Sequence, residues 1–146
     1  METKDLIKAF CERLGIQSEA GAEGVYTFAV DAFEFAIHDL AEQGRIALVG
    51  DLGGIPEQHP GGLFRLMLEA QYCFRETEGA TFAIDSERDC LTLNRMLLTA
   101  ELDNETFFNE VERFVNQLEA WARIIRDYEG EKATQEMPLD LYNIMV

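Results

Sequence analysis

The chain has 146 residues, the length of a single domain, and its 47% hydrophobic and 27% charged residues are typical of a globular protein. Its 28 acidic and 12 basic residues give a formal net charge of -16, which repels nucleic-acid phosphates. No apolar run approaches the roughly 20 residues of a membrane-spanning helix, and the N-terminus lacks a secretory-signal pattern. We therefore expect a protein that remains where it is made, with neither nucleic acid nor membrane as a partner.

The first predicted element is a helix over residues 3–14. Leu6, Phe10 and Leu14 recur at helical spacing and define one apolar face. Thr3 is placed to cap the start, and a glycine follows the last residue, where helices commonly end in a left-handed conformation.

Three strands are predicted next, over residues 25–30, 33–40 and 45–50. Each is short and rich in β-branched or aromatic residues, and the connections have hairpin length. In the second strand Phe35 and Ile37 alternate with polar or small residues, which indicates one apolar face. The three strands are predicted to form an antiparallel meander.

A second helix is predicted over residues 60–74, PGGLFRLMLEAQYCF, after a loop rich in Gly and Pro. Its apolar residues form two stripes, and one sheet cannot easily cover both. Because large apolar patches are unusual on soluble monomers, we predict that a second copy of the chain covers the extra stripe. The remaining alternative is cover by the preceding loop or the C-terminal tail. The predicted dimer interface consists of Leu63, Phe64, Met67, Leu68, Tyr72, Phe82 and Ile84.

A β-hairpin over residues 80–85 and 90–99 follows, and then a helix over residues 103–128 with apolar residues at alternating spacings of four and three. Asp103 is placed to cap this last helix. The predicted fold is therefore α+β: helix, three-stranded antiparallel meander, helix, β-hairpin and helix (αβββαββα), as a twisted antiparallel sheet flanked by helices in a homodimer. We assign residues 1–130 to one domain and residues 131–146 to a tail that is flexible at its polar start. The apolar end of the tail either docks on the domain or stays disordered until a partner binds.

No catalytic, phosphate-binding or metal-binding signature occurs, so the sequence predicts neither an enzyme nor a cofactor. Cys11, Cys73 and Cys90 are widely spaced in apolar segments and are predicted to be buried, reduced thiols. His38 and His59 lack ligand spacing. The acidic residues of the hairpin loop, at 85, 87 and 89, lack the glycine and the glutamate of a calcium loop, which favours a solvated turn.

Several segments together resemble the class I type III secretion chaperones, the Tir chaperone family. They are LIKAFCERLGI, the LFRLMLEAQYCF helix after its Gly/Pro loop, ATFAIDSERDCLTLNRML, and the FFNEVERFVNQLEAWARII helix that contains Trp121. The resemblance covers residues 4–127 and lies in the order of these patterns. The tail beyond Glu129 departs from the family pattern, as does Gln71, where many relatives have Ala-Asn.

This resemblance implies a bacterial cytosolic homodimer that binds the N-terminal region of secreted effector proteins. The chaperone would keep that region extended and soluble and present it to the secretion machinery, without using a nucleotide. Unpaired edges of a five-stranded sheet can accept a partner strand, and apolar pockets can select its alternate side chains. The residues expected to contact the effector, each of which is alternatively a core residue, are Leu6, Phe10, Leu14, Phe28, Phe35, Ile37, Ile46 and Leu48.

Two other classes of function remain open at this point. One is a small-molecule-binding or catalytic α+β domain that uses the thiol of Cys11 or Cys73. The other is a regulatory interaction module whose partner is a folded protein, such as a transcriptional regulator. A secreted partner bound as an extended segment would distinguish the chaperone from both.

Overall fold

The computed structural model describes residues 2–17, 20–30 and 32–135. Within these ranges the chain forms helices and strands in the predicted order, which confirms the α+β fold class. The helices are α1 (Thr3–Leu14), α2 (Gly61–Gln71) and α3 (Asn104–Gln135), and the strands are β1 (Val25–Val30), β2 (Phe33–Leu40), β3 (Arg45–Gly54), β4 (Thr81–Asp85) and β5 (Cys90–Leu98).

The five strands form one antiparallel sheet in the order β1-β2-β3-β5-β4. The predicted meander of the first three strands and the predicted hairpin of the last two are both confirmed. β3 continues four residues beyond its predicted end, and its register with β5 shifts between Asp51 and Gly53. Gly53 has a φ of 115°, a backbone conformation that suits glycine at such an irregularity. β1 and β4 are the two edges of the sheet.

The core lies between one face of the sheet and the helices. Phe10 of α1 contacts Phe28 of β1 and Phe107 of α3, with ring centroids 5.7 and 5.8 Å apart. Phe35 of β2 lies 6.3 Å from Phe114 of α3 by the same measure. These edge-on aromatic contacts join α1, α3 and the first two strands into a single core.

The ends of α1 and α3 test the predicted caps. α1 spans the predicted residues and ends at Gly15, which has a φ of 67°. The predicted N-cap was wrong, because Glu2 occupies the N-cap position and Thr3 is buried inside the first turn. Asp103 caps α3 as predicted, since its carboxylate accepts a 2.7 Å hydrogen bond from the backbone N–H of Thr106.

α2 ends earlier than predicted, at Gln71. Cys73 and Phe74 follow with φ values of 54° and 55°, so the backbone cannot continue as a helix. The exposed position of Cys73 results from this early end, and the prediction that its thiol is buried was wrong. Cys11 is buried as predicted, and Cys90 is half-buried.

α3 continues to Gln135, seven residues beyond its predicted end and across the predicted start of the tail at residue 131. The apolar part of that tail, residues 139–146, lies outside the described residues. No helix in the described ranges has both the length and the apolar character needed to cross a membrane.

Candidate functional site

α2 presents two faces, as its two apolar stripes predict. Leu63, Met67 and Ala70 are buried in the core. On another face Leu68 and Tyr72 are 65% and 67% exposed, which is unusual for side chains of this size. The protomer therefore covers one face of α2 and leaves Leu68 and Tyr72 in solvent.

The exposed face of α2 borders an apolar groove between α2 and β4, called the α2 groove below. Its volume is about 320 Å³, and it lies beside the exposed Leu68. Apolar residues make up its walls and floor, which suits contact with another apolar surface. The residues that define it are Phe64, Met67, Leu68, Phe82, Ile84 and Leu91.

The predicted interface residues divide by exposure. Leu63 is fully buried within the protomer, whereas Leu68, Tyr72 and Ile84 are exposed. Phe64 and Phe82 are partly buried at the groove, and Met67 is buried at its base. The structure thus collects all of them except Leu63 and Tyr72 around one groove, while contact with a second copy stays a prediction.

The edge formed by β1 is open within the described residues. The carbonyl of Val25 faces outward, where it accepts a 2.7 Å hydrogen bond from the N–H of Gly21. Because backbone groups alternate in direction along an antiparallel strand, Thr27 and Ala29 also direct their N–H and C=O groups to this edge. No other described strand pairs with them. They offer a site where a partner strand can add to the sheet.

The opposite edge, formed by β4, is partly covered by a side chain. The side-chain oxygen of Gln71, at the end of α2, accepts a 2.7 Å hydrogen bond from the backbone N–H of Phe82. In the sequence, Gln71 stands out only as a departure from the family pattern. In the structure it occupies an edge donor that a partner strand would otherwise use.

A second groove, called the α1 groove below, lies between α1 and the start of β1. Its volume is about 460 Å³. Apolar and charged side chains both line it, in contrast to the α2 groove. Its principal residues are Lys4, Ile7, Lys8, Glu12, Ile16 and Tyr26.

The residues expected to contact an effector are mostly inside the protein. Of the eight, only Leu14 is exposed, at 44%. The side chains of the other seven are buried in the core of the protomer: Leu6, Phe10, Phe28, Phe35, Ile37, Ile46 and Leu48. Their burial agrees with the alternative that these residues form the core, and contact with an effector stays a prediction.

Sequence reasoning missed the residues that do line the α1 groove. Ile16 is 40% exposed, and Tyr26 is half-buried. Both border the apolar pattern that defined α1 and β1, one beyond the helix end and one on the same strand face as Phe28. The sequence pattern alone does not distinguish the half-buried Tyr26 from the buried Phe28 on the same face of β1.

The acidic hairpin loop is ion-paired. Arg88 donates hydrogen bonds to the carboxylate of Asp51 at 2.7 and 2.8 Å and to that of Asp85 at 2.8 Å. These bonds raise the pKa of Arg88. The pKa of Asp85 is lowered, and the hydrogen bond from the Arg88 side chain is the largest cause. The ion pair between Arg88 and Asp51 links the hairpin to β3. Within the described ranges no group of three or more His, Cys, Asp or Glu side chains is placed to hold a metal ion.

Solved structures of similar fold include two protein complexes and a putative transcription regulator. The ExsC-ExsE complex matches with a TM-score of 0.71 and 24% identity, over 84% of this chain and 96% of that chain. The heterodimeric ExoU-SpcU complex from the type III secretion system of Pseudomonas aeruginosa matches with a TM-score of 0.64 and 18% identity, over 82% and 95%. YbjN, a putative transcription regulator from E. coli, matches with a TM-score of 0.64 and 12% identity, over 86% and 93%. At these identities the likeness establishes the fold alone.

Sequence comparison identifies the family. No curated protein matches the chain significantly. The model of the Tir chaperone protein (CesT) family matches residues 5–122, which include the helices and strands from α1 into α3. Since this match covers most of the chain, the protein belongs to the Tir chaperone protein (CesT) family.

Proposed function

We propose that this protein is a bacterial cytoplasmic chaperone for type III secretion. It binds the N-terminal region of one or more secreted effectors, keeps that region extended and soluble, and delivers it to the secretion apparatus. Membership of the Tir chaperone family carries this proposal. Two solved complexes of the same fold support it, ExsC with ExsE and SpcU with ExoU of the type III secretion system.

The open edge of β1 supports binding of an extended partner. An added strand pairs through backbone groups, so it tolerates many partner sequences. The α1 groove lies beside the first residues of β1 and can receive a side chain of that strand. The partner loses conformational freedom when it is ordered, so a long contact surface is needed to compensate.

The α2 groove supports assembly as a homodimer. A two-fold contact between two copies of this groove would cover the exposed Leu68, Tyr72 and Ile84 with their own equivalents. A dimer also doubles the number of β1 edges, which extends the surface available to one effector. We assign the predicted interface residues to this contact, except Leu63, which supports α2 from the core.

The proposed activity is binding and delivery, without a catalytic step. The protein's role is to prevent an effector segment from folding or aggregating before secretion. A net charge of -16 contributes to this role, since it keeps the complex soluble while an apolar segment is held.

Purification from a bacterium that has a type III secretion system tests the proposal. A tagged copy of this protein should retain a secreted protein, and limited proteolysis of the complex should leave the N-terminal region of that protein protected. If the protein instead retains non-secreted proteins that stay folded when bound, the proposal is contradicted and the regulatory interaction module is favoured. Recovery of a bound metabolite, whose binding is lost when the cysteine thiols are alkylated, would favour the small-molecule alternative.

A further inference from the structure

Lys4 and Lys8 stand apart from most other cations of this acidic chain. Most of the arginines in the described ranges form ion pairs with carboxylates, among them Arg13 with Glu105 and Arg95 with Glu110. Neither Lys4 nor Lys8 has an ion-pair partner among the described residues, although acidic side chains outnumber basic ones by more than two to one. Two adjacent, uncompensated positive charges therefore line the α1 groove.

The charges of the α1 groove follow an ordered pattern along the helix. Lys4, Lys8 and Glu12 succeed one another at intervals of four residues, so they lie one turn apart along one side of α1. A lysine four residues before a glutamate is the weaker orientation for a helical ion pair, which leaves Lys8 available to a partner. From the start of α1 toward its end, the side of the helix that lines the groove thus presents two positive charges and then one negative charge.

The same groove contains apolar surface next to these charges. Ile7 and Cys11 form buried parts of the groove, while the more accessible Ile16 and Tyr26 border it. Tyr26 lies on the same strand face as Phe28, the face that the helices cover. A strand added to β1 would direct alternate side chains to this face and hence toward α1. A single bound strand can therefore meet both the apolar surface and the lysines.

We propose that the α1 groove selects an extended peptide segment in which apolar residues alternate with or adjoin carboxylates, and that Lys4 and Lys8 set this preference. The inference rests on the proposed function and adds the chemistry of the bound segment. The protein as a whole attracts basic segments, because its net charge is -16. The two lysines reverse this preference at the groove, and Glu12 disfavours a carboxylate at its other end. Such opposed charges fix the register of the bound strand as well as its composition.

Panning a displayed library of short random peptides against the purified full-length protein tests this inference directly. Wild-type protein should enrich peptides that combine apolar and acidic residues, and enrichment should weaken at high salt because the charges are exposed. Synthetic copies of the enriched peptides should bind the double variant Lys4→Gln/Lys8→Gln about three- to tenfold more weakly, the range expected for exposed ion pairs.

A second double variant provides a matched control. Arg45→Gln/Arg126→Gln removes two exposed cations that form no ion pair with a described residue and lie away from the α1 groove, so it lowers the net charge by the same amount. Its peptide affinities should match those of the wild type. The inference is overturned if the library yields no binders, if the binders lack acidic enrichment, or if both double variants weaken binding equally. The proposed function is tested separately, because a secreted partner can be recovered from the bacterium whatever the peptide library shows.

Discussion

The side chain of Leu118 fills the space above Gly50, so that α3 lies directly on the backbone of β3. A Cβ atom placed on Gly50 would stand 2.6 Å from both Cδ atoms of Leu118, closer than real carbon contacts allow. Leu118 is itself fully buried. The absence of a side chain at position 50 therefore sets the distance between α3 and the sheet, and with it the depth of the core.

Gly50→Ala should destabilise the protein. The added methyl group must displace Leu118 and α3, and overpacking of this kind costs about 1–3 kcal/mol. Gly54→Ala is the matched control, because a Cβ there meets nothing within 4 Å and β3 continues to that residue. Urea unfolding followed by the fluorescence of Trp121 measures both. Equal stability of the two variants would contradict the close contact between α3 and β3.

Leu68→Asp should convert a dimer into monomers. Leu68 is 65% exposed in the protomer, so the substitution should leave the fold intact while it places a charge in the proposed interface. Ile124→Asp, at a side chain 40% exposed on α3, serves as the control and should remain dimeric. Sedimentation velocity reports the masses, and circular dichroism checks the fold. A wild-type protein that sediments only as a monomer would disprove the dimer prediction.

Gln71→Ala should loosen the β4 edge. The substitution removes the acceptor for the half-buried N–H of Phe82, and an unsatisfied donor costs about 1–3 kcal/mol. The amide of Phe82 should therefore exchange with solvent deuterium faster, and the free energy of unfolding should decrease. Gln58→Ala, in the exposed loop before α2, changes the same residue type and should alter neither quantity. Unchanged exchange at Phe82 in the Gln71 variant would show that this hydrogen bond does not protect the edge.

The carboxylate of Asp103 should make the free energy of unfolding depend on pH in the acid range. Hydrogen bonds from the backbone and hydroxyl of Thr106 lower the pKa of Asp103 from its ordinary value of 3.8. A group with a lowered pKa in the folded state stabilises the protein fully above its unfolded pKa, and the contribution is lost as pH falls through the folded value. Asp103→Ala should therefore be less stable than the wild type at neutral pH, and the difference should narrow below pH 3.8.

Asp103→Asn separates the capping hydrogen bond from its titration. Asparagine caps helices about as well as aspartate but carries no titrating carboxylate. Thermal melts across the acid range should show a capped α3 whose contribution does not change with pH. A difference between the wild type and Asp103→Ala that stays constant down to low pH would contradict the assigned pKa direction.

Local patterns in the sequence were sufficient to predict the elements and their order. Residues Phe35 and Ile37 alternate with polar or small neighbours, and this period of two identifies β2 without any knowledge of its partners. The spacing of Phe107, Phe114 and Trp121 likewise identifies α3. Their burial in the structure confirms that these patterns identify core residues.

The surfaces could not be predicted in the same way, because they depend on contacts between distant parts of the chain. The α1 stripe of Leu6 and Phe10 becomes core only when α3 lies beside it. β1 is an edge strand because β3 pairs with β5, and the half-buried Tyr26 lies on that strand. The early end of α2 also lacks a local signal, since the residues with positive φ after it are Cys73 and Phe74 and neither is glycine.

Hydrogen exchange on the complex with a recovered secreted partner shows whether an extended effector segment adds to the β1 edge. We predict that the amides of Thr27 and Ala29 become protected when the partner binds, and that the protected residues of the partner form a continuous segment in its N-terminal region. A partner that stays folded, with no added protection along β1, would contradict the proposal that this protein is a chaperone for an extended effector segment.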